Sequence, residues 1–132
     1  MKKFGLSVAE KIKGRKDFEE LFSKGSTLFS PSKKIKAIYI IDKCSGMPGI
    51  KVAVAVSRKS GNAVWRNRVK RLLRESYRLN KQSLLDKTKD TGSYIRIIFS
   101  PCSLNMRNNK NIYLREIMPD IIDLMSGISS RL

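Results

Sequence analysis

The chain has 132 residues, with 28 Lys plus Arg against 11 Asp plus Glu, a formal net charge of +17 and a sequence pI near 10.3. That length suits one domain around one core, and the excess of cations calls for a polyanionic partner drawn in by long-range attraction. There is no histidine, which excludes a Ser-His-Asp triad, a Cys-His pair and a His-based zinc site, and no apolar run approaches the roughly 20 residues that a spanning helix needs.

Residues 1–16 carry Lys2, Lys3, Lys11, Lys13, Arg15 and Lys16 against one acid, Glu10. They read as an extended, flexible basic arm without the sustained apolar segment of a secretory signal, so a cytoplasmic location is expected. The next stretch, KDFEELFSKG, predicts a helix. Phe18, Leu21 and Phe22 fall at i, i+3 and i+4, and Gly25 is the stop signal. Serines and Pro31 then mark a loop. Residues 34–41, KIKAIYII, predict a strand with Ile35, Ala37, Tyr39 and Ile41 on one face and Lys36, Ile38 and Ile40 on the other. CSGMPG, residues 44–49, is a turn, and residues 50–56, IKVAVAV, predict a hairpin partner for the first strand. Cys44 and Cys102 lie far apart without metal-site spacing and read as free thiols.

A short SRKSG link leads to a basic helix beginning at GNAVWRNRVKRLLR. Asn62 is placed to cap it. At about 100° per residue, Trp65, Val69, Leu72, Leu73, Ser76 and Leu79 form an apolar stripe. Asn67, Lys70, Arg71, Arg74, Arg78 and Lys81 gather on the opposite face, with Arg66 and Arg68 at its flanks. Trp65 reads as core. A solvated helix face normally mixes signs to collect i,i+4 pairs, yet Glu75 is the only acid between Lys59 and Lys81. Arg66 and Arg68 also stand near the helix N-terminus, where the dipole disfavours cations. Local rules broken without visible compensation mark functional sites, and a phosphate backbone laid along this face supplies the compensation. The polar DKTKDTG, residues 86–92, reads as a loop, SYIRIIF, residues 93–99, as a further strand, and NIYLREIMPDIIDLM, residues 111–125, as a helix that Pro119 kinks or divides. The order is α-β-β-α-β-α, with room for another short strand.

The stretch VAVSRKSGNAVWRNRVKRLLRESYR, Val54 to Arg78, resembles the signature of the bacterial ribonuclease P protein subunit: a strand, a basic pair, GNAV, then R-N-R-x-K-R-x-x-R on a helix. DFEELFSKG is similar to that family's first helix, AIYI to its first strand and SYIRIIFSP to its late strand, so the likeness runs over residues 10–125. Gly14 interrupts the basic run that the family carries before its first helix, and Ser60 stands where an apolar residue is more frequent. The resemblance implies an α+β two-layer sandwich, ribosomal-protein-like, with a left-handed βαβ crossover where handedness rules alone predict the opposite.

The resemblance also implies a function. Such proteins join a catalytic RNA, one protein per RNA, and assist Mg2+-dependent endonucleolytic removal of the 5′ leader of precursor tRNA. The RNA carries the chemistry and most of the magnesium, and neither DNA nor membrane is a partner. Carried over by position, Arg58, Lys59, Asn62, Arg66, Asn67, Arg68, Lys70, Arg71 and Arg74 face the RNA subunit. Phe18, Phe22, Ala37 and Tyr39, with Asn67, Lys70, Arg71 and Arg74, take the leader, because aromatic faces stack unpaired bases while cations follow the backbone. Phe18 and Phe22 are equally open to core packing, and Tyr39 is expected at the surface. No catalytic or metal-ligating residue is assigned to the protein.

Three other readings compete. A ribosomal or rRNA-binding structural protein matches the charge and size but not the spacing of the signature. A self-sufficient nuclease would need its metal from Asp17, Glu19, Glu20, Asp86 and Asp90, which are scattered. A helix-turn-helix DNA reader lacks a second short helix beside the basic one.

Overall fold

The computed structural model describes residues 11–12, 14–43 and 46–132. Residues 1–10 and Lys13 of the expected arm, and Cys44 in the expected turn, lie outside the described residues. Helix α1 runs Arg15–Lys24, followed by strands β1 (Ser26–Phe29), β2 (Ile35–Asp42) and β3 (Gly49–Val54). A 3-10 turn, Arg58–Ser60, leads into the long helix α2 (Ala63–Thr91), then strand β4 (Tyr94–Pro101) and helix α3 (Leu114–Ser129). The alternation in β2 and β4 drives the architecture, because each strand has apolar residues on both faces and both faces are covered. Ile35, Ala37, Tyr39, Ile95, Ile97 and Phe99 point into a large core with residues of α2 and α3. Ile38 and Ile98 point the other way, into a smaller core with Ile12 and Leu21.

The sheet order is β1-β2-β4-β3. β4 pairs antiparallel with β2, Ile38 opposite Ile98, and parallel with β3, Ala53 opposite Ile98. The expected β2–β3 hairpin therefore does not form: β4 lies between the two strands. A parallel β3–β4 pair needs a crossover of a dozen or more residues, and the 29-residue α2 supplies it. The serine-rich segment expected as loop contains β1, which pairs antiparallel with β2 at the opposite edge.

Two further expectations change. DKTKDTG is the last turn and a half of α2, not a loop. Thr88 is buried, and the helix ends at Gly92 in the left-handed conformation (φ 68°), whose N–H donates to the Thr88 carbonyl. The arm is anchored at its end: the Ile12 N–H donates to the Val52 carbonyl at 3.1 Å, Ile12 is buried, and Arg15 and Lys16 belong to α1. Pro119 lies inside one continuous α3. Among the described residues no helix is long and apolar enough to cross a membrane.

Candidate nucleic-acid interface

Asn62 holds the start of α2, its side-chain oxygen accepting from the Trp65 N–H at 2.9 Å. Trp65, Val69, Leu72 and Leu73 then bury one side against the sheet and α3. Buried positions continue through Ser76, Tyr77, Lys81, Leu84 and Thr88. At about 100° per residue the buried sector turns by roughly 100° along the helix. This rotation overturns two wheel assignments: Lys81 falls inside the buried sector rather than on the cationic face, and Leu79 leaves the stripe and is exposed.

The remaining polar residues of this face differ in what they hold. Arg66 and Arg68, at the flanks, are half-buried and tether backbone. Arg66 Nε donates to the Gly61 carbonyl at 3.1 Å, and Arg68 Nε donates to the Ile112 carbonyl at 2.9 Å. Trp65 Nε1 donates to the Asn109 carbonyl at 2.9 Å, so residues 105–113 are strapped to the first turns of α2. Asn67, Lys70, Arg71 and Arg74 instead make no side-chain hydrogen bond or ion pair with any described residue. Arg78 is paired with Glu75. Lys11, held beside Val52 on the edge of β3, joins Arg71, Arg74, Glu75 and Arg78 around a groove of about 250 Å3. The end of the basic arm and the face of α2 thus form one surface. Arg58 and Lys59 are exposed in the 3-10 turn just before α2.

The residues expected to take an RNA leader do not come together. Phe18 is half-buried against the small core and Phe22 is exposed, both on α1. Ala37 and Tyr39 are buried on the opposite face of the sheet, at 0% and 7% exposure, under α2 and α3. They cannot line a cleft with α1, and Tyr39 is a core residue rather than a surface one. The strand's other face, Lys36, Ile38 and Ile40, looks toward α1, with Ala53 and Ala55 from and beyond β3. Phe29, at 51% exposure, sits opposite Lys36 in the register and adds a solvent-facing ring on that same face. Phe29 alternates with Leu28 on β1, in the segment expected as loop.

Four of the five acids that a nuclease would draw on, Asp17, Glu19, Glu20 and Asp86, have other partners. Arg96 on β4 reaches across to α1, donating to Asp17 at 3.0 Å and also pairing with Glu20. The hydrogen bond from Arg96, followed by its charge, holds the Glu20 carboxyl below the ordinary carboxylate value. Glu19 pairs with Arg15, and Asp86 accepts from Gln82. Among the described residues no three His, Cys, Asp or Glu side chains converge.

Known proteins fit this arrangement. The family model described as Ribonuclease P matches residues 6–116. The ribonuclease P protein component of Clostridium botulinum (strain Loch Maree) is 38% identical over 103 residues, 77% of this chain and 83% of that protein. In fold, the RNase P protein of Thermotoga maritima superposes with a TM-score of 0.69 at 24% identity over 89% of this chain and 96% of that one. The Staphylococcus aureus RNase P protein gives 0.65 at 21% identity over 90% and 94%. The R-N-R-x-K-R-x-x-R segment, seated on a capped helix, lies within the residues that the family model matches, and the chain belongs to the ribonuclease P protein component family.

Proposed function

We propose that this chain is the protein subunit of a ribonuclease P holoenzyme, an endoribonuclease of tRNA 5′ maturation acting in the cytoplasm. On this reading it binds one catalytic RNA through α2 and the 5′ leader of precursor tRNA through α1 and the sheet face beneath it. The observation that carries the reading is the set Asn67, Lys70, Arg71 and Arg74. A folded chain leaves these donors on one rigid face without acidic partners, which has an electrostatic cost that phosphates relieve. Their long side chains follow a backbone, while Asn67 can donate and accept at once. On the α1 side, Phe22 and Phe29 offer rings to unpaired bases, and Lys36 supplies charge beside them. Phosphodiester hydrolysis itself falls to the RNA partner. On this reading magnesium belongs with that RNA's phosphates, and Asp17, Glu19 and Glu20 are engaged by arginines of the protein.

Competition binding tests the proposal. The protein should prefer a bacterial ribonuclease P RNA over an rRNA fragment of equal length. Equal affinity for both would favour the ribosomal reading.

A further inference from the structure

A second cationic surface lies off the α2 face, on the segment between β4 and α3. No acid occurs between Asp90 and Glu116, and this stretch carries Arg107, Lys110 and Arg115. Residues 105–110 and the turn at Lys59 and Ser60 enclose a groove of about 660 Å3, lined by Lys59, Gly61, Asn105, Met106, Arg107 and Lys110. The groove is built rather than incidental. Met106 N–H donates to the Ser60 carbonyl at 2.7 Å, joining the two segments. The Asn105 side chain accepts from the Asn108 N–H at 2.9 Å and its carbonyl from the Asn109 N–H at 2.8 Å, closing the loop on itself. The straps from Trp65 and Arg68 hold the same loop from below. Lys59, Arg107 and Lys110 are exposed and have no ion-pair partner among the described residues. Beyond the groove the loop presents Tyr113, 43% exposed, with the Arg115 guanidinium 4.8 Å and the Arg68 guanidinium 5.9 Å from its ring centroid.

We infer that this groove is a second RNA-binding surface, taking the phosphodiester backbone of a segment of the same RNA partner while the Tyr113–Arg115 stack receives an unpaired base. The inference rests on the reading of the chain as an RNA-binding subunit and deepens it. Three cations spread around a groove of this volume suit a strand of successive phosphates better than a single anion. Ring and guanidinium planes together form the kind of platform on which splayed RNA bases stack. Because the loop is pinned before binding, little ordering opposes the contact.

The test titrates the full chain, Arg107→Ala/Lys110→Ala and Arg71→Ala/Arg74→Ala against a bacterial ribonuclease P RNA over a range of monovalent salt. Two cations lost from a phosphate-tracking groove should make the log–log salt slope shallower by about 1.4 to 1.8. A slope unchanged in the Arg107/Lys110 variant, with a loss in the Arg71/Arg74 variant, overturns the second surface and leaves the α2 face standing. No change in either variant, or no binding, removes the RNA reading itself. Cys102 is exposed at the start of the loop, so a strand-cleaving reagent on it, in a Cys44→Ser background, gives a readout independent of affinity. Scission confined to one RNA segment is expected, and its absence in the bound complex overturns the placement.

Discussion

Arg68 Nε donates to the main-chain carbonyl of Ile112 at 2.9 Å, although Arg68 belongs to the RNA-facing signature. The bond gives this arginine a folding role that its neighbours Arg71 and Arg74 lack. Arg68→Ala should cost about 1–3 kcal/mol, because a charged donor is lost and the carbonyl of buried Ile112 is left open. Arg71→Ala should stay within about 0.5 kcal/mol of wild type, while weakening RNA binding. Urea midpoints beside RNA titrations separate the two, and equal midpoints for both variants would contradict the division.

Phe22 and Tyr39, paired by the family likeness, should behave in opposite ways. Tyr39→Ala removes a core ring and should cost about 3–5 kcal/mol. Phe22→Ala should change stability by no more than about 0.5 kcal/mol. In the holoenzyme it should weaken affinity for precursor tRNA, but not for mature tRNA, by about 1–3 kcal/mol, one lost base stack. Identical losses for both tRNAs would remove Phe22 from the leader path.

The Arg96 pair with Glu20 gives a pH signature. Glu20 has its folded value lowered below the ordinary 4.5, first by the hydrogen bond from Arg96, then by its charge, with a lesser contribution from Lys24. The stability it contributes is therefore fully present above pH 4.5 and is lost as pH falls through the lowered folded value. The gap in urea midpoint between wild type and Glu20→Gln should be constant near neutrality and close as the solution is acidified. Asp17 also holds Arg96 and is present in both proteins, so the difference isolates Glu20. A gap that does not change with acid would show that the pair adds nothing.

Gly61 lies where the 3-10 turn meets α2 and the strapped loop. A Cβ there would come within 2.8 Å of both Met106 Cβ and Trp65 Cε3. Gly61→Ala should cost about 1–3 kcal/mol by overpacking. Gly46→Ala, with nothing within 4 Å of the added carbon, serves as the control and should be neutral or stabilising by up to about 1 kcal/mol. Thermal melts of the two variants check the contrast; similar melts would mean that the loop yields easily.

Much of this was legible because local signals agreed with the tertiary outcome. Period-two alternation located β2, β3 and β4, and the Asn62 cap and Trp65 stripe located the start of α2. What failed depended on partners distant in sequence. Nothing within IKVAVAV says that Tyr94–Pro101 will slip between it and its neighbour. Alternation separated Tyr39 from Ile38 correctly, but only the packing of α2 and α3 decides which face is the deeper core. DKTKDTG was masked by polarity, since a helix end held by buried Thr88 and a left-handed Gly92 needs few apolar residues. Lys81 was misplaced because an ideal wheel carries one fixed buried sector, whereas α2 passes from the sheet to α3. The strapped loop with Arg107, Lys110 and Tyr113 gave no pattern at all; its only sequence signal was the long absence of acids.

The most direct test of the central claim is reconstitution. The protein is mixed with a bacterial ribonuclease P RNA and a 5′-labelled precursor tRNA at low magnesium, beside RNA alone and protein alone. Cleavage at the mature 5′ end that requires both components is the predicted result. Cleavage by the protein alone, or a protein that adds nothing to the RNA, would contradict it.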